Sequence, residues 1–463
     1  MELLLTHGYF LAKDEHEKRV MKPYPPLGIL YLSAYLKSKE VNVTVFDSTF
    51  RRMEDFTDYL REHRPSIVGI YCNLMTKLNV LAMIRLCKSI GSTVLLGGPE
   101  PSSYAKEFID SGADVIINGE GEITTESVMH SIVRAGVHRL HDVHGIAFRD
   151  ESGTIIRTPP RSLVQDLDTL PFPDREAIDI DRYVSTWRAH HGRGSLSLIT
   201  ARGCPYTCKW CSHGVYGFSH RRRSPENVVN EIELVVSRYK PDMLWIADDV
   251  FTINHKWLHE YAAEMKRRNL HIPFECISRA DRLNEQVMDV MANLGCFRIW
   301  FGSESGSQRV LDAMSRGVTV AEIREATRRA QRHGIEAGLF VMLGYEGETI
   351  EDIDATIDHL KLTQANTFLT TVAYPIKGTA YHTENEGLVE ANKPWEERTE
   401  RDVRIRGRHS DLFYWFAQRR LTNEVLFHSL TSSKHGRMLD RVSAFTKAKV
   451  AHLGMLSTKF SKS

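Results

Sequence analysis

Three of the seven cysteines crowd into eight positions, within the stretch ITARGCPYTCKWCSHGVYG. Cys204, Cys208 and Cys211 stand at CxxxCxxC spacing directly after the apolar run LSLIT, which predicts a thiol-bearing loop at the end of a strand. Three thiolates so spaced can hold three irons of a cubane cluster and leave the fourth iron without a protein ligand. An iron with an open position is a place for substrate chemistry. The alternative is a tetrahedral zinc site, which closes with a fourth Cys or His, and His213 is near enough in sequence to serve. Cys72, Cys87, Cys276 and Cys296 lie in strand or helix contexts and read as core residues. Cysteines this sparse and uneven do not form a disulfide framework.

Such a loop needs rigid elements on either side. From about 195 onward, strand signals near 195–201, 243–247, 273–277, 297–302, 336–343 and 367–373 are each followed by a helix-length segment. Six βα units of this kind predict a full or partial barrel with its site at the C-terminal ends of the strands. Those ends carry polar or Gly-rich stretches: the cysteine loop, IADDVFTIN at 246–254, SRAD at 278–281, FGSESG at 301–306 and GLFVMLGYEGET at 338–349.

Before this array, LLLT at 3–6, VTVFD at 43–47, IVGIY at 67–71, TVLLGG at 93–98 and DVIING at 114–119 alternate with helical patterns such as 27–39 and 78–90. Five such units predict a doubly wound, flavodoxin-like domain whose ligand sits outside the carboxyl ends of its strands. PYPPLG at 23–28, CNLMT at 72–76, GGPEPS at 97–102 and GEGE at 119–122 occupy those ends. The expected division is a domain at 1–150, a Pro-interrupted linker at 151–194, a barrel core at 195–388 and a helical C-terminal region at 389–463.

CxxxCxxC with Trp210 directly before the last cysteine, on the first loop of a six-unit βα array, resembles the radical S-adenosylmethionine (SAM) superfamily. The resemblance implies that the open iron chelates the amino and carboxylate groups of SAM and that an electron from the cluster cleaves it to methionine and a 5′-deoxyadenosyl radical. Carried over by motif position, Asp248 and Asp249 are candidates for the methionine amine, with a helix N-cap pair as their ordinary alternative. Arg279 is a candidate for the methionine carboxylate, Glu304 for the ribose or methionine end, and Gly344 for backbone lying along the adenine. Trp210 joins them as a cofactor-side residue.

The N-terminal arrangement PYPPLGILYLSAYLK…GADVIINGEGE resembles the cobalamin-binding domain that precedes the radical core in one large subgroup. It implies a corrin on the sheet edge, with Gly28, Thr76, Gly97, Gly98, Glu120 and Gly121 as candidate contacts. The sequence has no DxHxxG, so no histidine is placed by motif below the cobalt. Together the two resemblances span about residues 1–385.

The implied activity is radical cleavage of SAM, with a cobalamin-dependent methyl transfer to an unactivated carbon of a small molecule or natural-product precursor as the first reading. A radical cyclisation or rearrangement without methyl transfer is the second, and a metal-stabilised binding protein the third. A formal charge of +1 gives no global field for nucleic acid, and MELLLTHGYF has no basic stretch ahead of a long apolar run, so a cytoplasmic enzyme is expected. Its electron donor would be a flavodoxin or ferredoxin. RAHHGRG at 188–194 and HRRRS at 220–224 read as solvated faces or as contacts for an anionic substrate. Residues 401–463 carry thirteen Lys or Arg against four Asp or Glu, with aromatics at 413–416. That segment is expected to cap the barrel; the alternative is a basic amphipathic helix on an anionic membrane.

Overall fold

The apolar runs at the start of the chain fold as parallel strands in the computed structural model, which describes residues 2–432 and 437–460. They are β1 (Glu2–His7), β2 (Asn42–Phe46), β3 (Ile67–Tyr71), β4 (Thr93–Gly97) and β5 (Val115–Ile117), in the order β2-β1-β3-β4-β5. Their sequences are nearly continuous in Leu, Ile and Val because helices cover both faces, as parallel sheets require. One face buries Leu4, Val68, Ile70, Val94 and Leu96, and the other Leu3, Leu5, Ile67, Leu95 and Val115. The chain switches direction of winding between β1 and β3, which places the ligand crevice at that edge.

The sheet runs two strands further than its sequence pattern indicates. β6 (Ile146–Arg149) and β7 (Ile155–Arg157) add antiparallel, giving seven strands. The intervening DESGT is a tight turn: the Asp150 carboxylate accepts from the Ser152 and Thr154 N–H groups, both at 2.9 Å. A polar turn followed by a strand of three residues reads as linker in sequence, so the boundary at 150 cuts through a hairpin. The remainder of 151–194 also holds a helix, Ile180–His191, which starts at an Asp179 cap and buries Tyr183 and Trp187.

The chain divides into two compact units, one of Met1–Pro205, Ser212–Asp248 and Lys393–Thr399, the other of Tyr206–Cys211, Asp249–Asn392 and Glu400–Ser463. In the first, β8 (Ser195–Leu198) and β11 (Met243–Ile246) pair in parallel, and two short antiparallel strands, β9 (Ala201–Arg202) and β10 (Arg221–Arg222), lie between them in sequence. In the second, β12 (Phe274–Ser278), β13 (Cys296–Glu304), β14 (Glu336–Leu343) and β15 (Thr367–Val372) are parallel neighbours in chain order. All six expected βα units are therefore present, with β8 ending three residues before its sequence pattern does.

The C-terminal region is not wholly helical. β16 (Val389–Ala391) and β17 (Val403–Ile405) form a short antiparallel pair, and the helices Asp411–Ser432 and Met438–Thr458 follow. The last two pack on each other through small residues: Ala444, Ala448 and Ala451 are buried, and Gly454 lies against the Phe416 ring.

Candidate functional site

In the second unit the cysteine loop is pinned at both edges of Lys209. Its N–H donates to the Met314 carbonyl at 3.1 Å, and its own carbonyl accepts from the Tyr381 N–H at 3.0 Å. Trp210 packs away from the thiols: its Nε1 donates to the Tyr374 carbonyl at 2.9 Å, and its ring joins a cluster of Met314, Met342, Tyr345 and Tyr381. The Cys211 N–H closes the turn on the Cys208 carbonyl at 3.1 Å.

Two guanidiniums face Cys208. Arg316 Nη1 is 3.2 Å and Arg279 Nη1 3.8 Å from its sulfur. A hydrogen bond from Cys211, with the charges of Arg316 and Arg279 behind it, pulls the Cys208 thiol down to about 5. The same pairing, reinforced by burial, pushes Cys211 up. Arg279 is itself held by Asp281 at 2.9 Å, by the Arg316 carbonyl at 2.8 Å and by the Tyr206 ring 3.7 Å below it.

Glu304 stands beside this pair, its Oε1 3.6 Å from Arg316 Nη2, and burial raises its carboxyl pKa. It adopts φ of +56° at the end of β13, where the pairing with β14 slips between Gly302 and Glu304. A non-glycine residue in this region is strained and persists only where its surroundings dictate it. Here the neighbouring helix Ile350–Thr363 does so: His359 bonds Ser303 at 3.0 Å, Thr356 bonds Ser305 at 3.0 Å and Asp352 accepts from Ser307 at 2.6 Å. Burial and Arg324 hold His359 down to about 4, so it is neutral; Nδ1 accepts from Arg324 and Nε2–H donates to Ser303.

An Arg-flanked Cys208 thiol that favours ionisation suits an anionic iron–sulfur cluster rather than a neutral packing role. Cys204 belongs to the first unit, and among the described residues no three His, Cys, Asp or Glu side chains stand close enough to hold a metal ion. Within the second unit the structure brings Cys208 and Cys211 together.

In the first unit a cavity of about 450 Å³ opens at the carboxyl ends of β1, β3, β4 and β5. Thr6, Tyr71, Gly97, Gly98 and Gly119–Glu122 line it, with Pro25–Ile29 across the opening. Gly98 has φ of +107°, and a Cβ there would sit 2.3 Å from the Cys72 carbonyl, so the turn into the cavity admits only glycine. The Thr6 hydroxyl is buried at the cavity without a hydrogen-bond partner. No His, Lys, Cys or Met is among the described lining residues, and His7 at the end of β1 is tied to Asp47 at 3.0 Å. A mostly apolar floor, a glycine rim and an unsatisfied hydroxyl fit a large, flat ligand with polar edges.

Arg202 bridges Glu120 at 2.8 Å and Glu122 at 2.6 Å, and Arg221 pairs with Glu120 at 2.9 Å, all inside the wall of this cavity. Tyr216 stands over both arginines at 5.8 Å, its phenol raised to about 12 by burial.

The family model of the B12 binding domain matches residues 19–129, and that of the Radical SAM superfamily matches residues 198–360. The chain belongs to the cobalamin-binding radical SAM enzymes. An uncharacterized methyltransferase of Pyrococcus horikoshii, PH0819, is 28% identical over 364 residues, 77% of each chain. Among solved structures, the cobalamin-dependent SAM radical enzyme OxsB, with aqua-cobalamin and SAM bound, matches 98% of this chain and 72% of its own with a TM-score of 0.74 at 17% identity. The radical SAM methyltransferase TsrM from Kitasatospora setae, with cobalamin and a [4Fe-4S] cluster bound, matches 85% of this chain and 77% of its own with a TM-score of 0.70 at 19% identity. These two likenesses establish the fold. The matched domains are thus one of the radical SAM superfamily and one of B12 binding.

Of the residues the sequence nominates in this radical SAM enzyme, Arg279 and Glu304 lie with Cys208, while Gly28, Gly97, Gly98, Glu120 and Gly121 line the cavity. Gly344 has φ of +75° and is covered by Arg408 and Tyr414, each 2.9 Å from where a Cβ would be. Four nominations change character. Thr76 is not at the cavity; its hydroxyl accepts from the Asn73 N–H at 3.0 Å within its own turn. Glu120 lines the cavity, yet both of its oxygens are taken by Arg202, Arg221 and the Val164 N–H. Trp210 anchors the loop by packing. Asp248 is buried and accepts from the Thr200 N–H at 2.7 Å, the Ala201 N–H at 3.1 Å and the Thr200 hydroxyl, with Arg222 at 3.3 Å, so it fixes the strand end. It is not an N-cap either; Asn254 caps the next helix. Asp249 is exposed.

The run HRRRS is not a solvated face. Arg221, Arg222 and Arg223 are largely buried against Glu120, Asp248 and Glu231. Sequence reasoning missed Arg316 and Tyr206 at the thiols, and nothing in SRGV marks Arg316. Tyr206, an aromatic inside the cysteine motif, carried a usable signal.

Proposed function

We propose that this enzyme is a cobalamin-dependent methyltransferase acting on an unactivated carbon of a small molecule or natural-product precursor. The observation that carries the reading is the coexistence, in one chain, of an Arg-flanked cysteine loop and a glycine-rimmed, mostly apolar cavity at the edge of a doubly wound sheet. Radical chemistry alone needs only the first. When bound, the cluster supplies the electron that cleaves SAM, and the corrin supplies the methyl group.

The chain's own residues orient and exclude. Cys204, Cys208 and Cys211 would ligate the cluster, and Arg316 and Arg279 favour the thiolate state of Cys208. Arg279 Nη1 offers a donor to the methionine carboxylate, and Asp249 offers an exposed carboxylate to the amine. Glu304, kept on its strained turn by Ser303 and His359, presents its buried carboxyl to the methionine or ribose end. Gly344, covered by Arg408 and Tyr414 and bonded through its N–H to Glu348 at 2.6 Å, holds the turn after β14 beside the expected adenine. Tyr71, Gly97 and Gly98 shape the corrin floor, while the Glu120–Arg202–Glu122–Arg221 network makes the cavity wall rigid without contributing a ligand to cobalt. A flavodoxin or ferredoxin supplies the electron.

The test is product analysis with SAM labelled in its methyl group. Methyl transfer predicts a product heavier by one labelled methyl, with S-adenosylhomocysteine formed beside 5′-deoxyadenosine. A product of rearranged or cyclised skeleton without the label would replace this reading with the second.

A further inference from the structure

Charge is unevenly distributed along the chain. Residues 401–463 hold 13 of the 60 Lys and Arg but 4 of the 59 Asp and Glu, leaving 47 basic against 55 acidic residues in the rest. The basic excess is confined to the segment that ends the chain.

The last helix, Met438–Thr458, uses one side for packing. Ala444, Ala448, Ala451 and Met455 recur at helical spacing and are buried against the helix Asp411–Ser432. At 100° per residue, Leu439, Val442 and Leu453 fall on the opposite side, and they are 81%, 54% and 66% exposed. Met438 and Val450 widen this stripe, and Phe460 extends it past the helix end. Lys447 and Lys449 are exposed beside it, and Asp440 is the one acidic residue of the helix. Such a helix is apolar on two sides, and only one is covered among the described residues. The aromatic run before it divides likewise: Phe413 and Tyr414 are buried, while Trp415 is exposed with Arg419 stacked 3.3 Å from its ring centre. Caps and cores do not need the outer face.

We infer that the outer face of the helix Met438–Thr458 docks on an anionic membrane surface, its Leu and Val side chains entering the acyl boundary and its lysines meeting the headgroups. Charge complementarity selects this occupant. A symmetric contact between two copies would set a face carrying Arg441, Lys447 and Lys449, with Asp440 as its one acid, against its own like-charged copy. Nucleic acid would engage the lysines and leave the apolar stripe in water. No helix among the described residues is long and apolar enough to cross a bilayer.

Co-sedimentation of the full chain with vesicles tests this. Expected is binding to phosphatidylcholine vesicles containing phosphatidylglycerol, weakened by salt, and little binding to phosphatidylcholine alone. The double variant Leu439→Glu/Leu453→Glu should bind at least about tenfold more weakly, and so should Lys447→Glu/Lys449→Glu. Both sites are exposed, and unchanged circular dichroism and iron content would show each variant folded. The inference is overturned if the protein ignores anionic vesicles, if the Leu variant binds them undiminished, or if the native protein is a dimer that the Leu variant dissolves. Salt-sensitive binding to a DNA duplex, unaffected by the Leu variant and unaccompanied by vesicle binding, would overturn it equally.

Discussion

Cys208 is the cysteine of the motif on which two guanidiniums converge. Its replacement by Ala should remove the cluster and all SAM cleavage while leaving the fold, read as iron content against circular dichroism; a variant with full iron and turnover would disprove the ligand assignment. Arg316 touches the same sulfur at 3.2 Å. Groups in this supporting position change metal affinity by about 10- to 100-fold, so Arg316→Gln should lose iron to a chelator at a matching excess over the native protein. The cysteines were legible because their spacing is local and their chemistry specific. Arg316 was not, since it is separated from Cys208 by 108 residues in the chain. Glu120 failed for the same reason: its partners Arg202 and Arg221 lie 82 and 101 residues away, and no local pattern announces that a carboxylate in a Gly-rich loop is already paired.

At the scale of elements, the turn after β13 depends on the helix Ile350–Thr363 through neutral His359. With a folded pKa near 4 against an ordinary 6.5, His359 takes up its proton more readily in the unfolded chain. Its contribution is intact above about pH 6.5 and is lost as the pH falls towards 4. From pH 7 to pH 5 this amounts to about 2 kcal/mol of unfolding free energy. Denaturant titrations should show that decrease in the native protein and a smaller one in His359→Gln; equal decreases would remove His359 from the account. The turn after β4 is as restrictive: Gly98→Ala carries about 1–2 kcal/mol from its backbone angle alone and a collision at 2.3 Å. It should lower the melting temperature and abolish cobalamin retention together. Retained cobalamin at native affinity would mean that this turn does not shape the site. Strand alternation made β1 to β5 and the later βα units legible, since parallel strands buried on both faces are continuously apolar. The hairpin β6–β7 was not, because three-residue strands around a polar turn lack periodicity. Nor does sequence show that Trp395, in a C-terminal segment otherwise grouped with the second unit, packs with Phe108 of the first at 4.8 Å between ring centres.

For the whole molecule, the family assignment and the two sites require one polypeptide to combine reductive SAM cleavage with a bound corrin. Protein purified anaerobically from cells supplied with cobalamin should carry iron and corrin together, and loss of corrin with an intact cluster would favour chemistry without methyl transfer. The central claim, reductive cleavage at a cluster held by Cys204, Cys208 and Cys211, is tested without knowledge of the substrate. The measurement is mass-spectrometric detection of 5′-deoxyadenosine after anaerobic incubation of the reconstituted protein with SAM and a strong reductant. The native protein should form it and each single Cys→Ala variant should not; no 5′-deoxyadenosine from protein with a full cluster, or equal amounts from the variants, would rule out cleavage at this cluster.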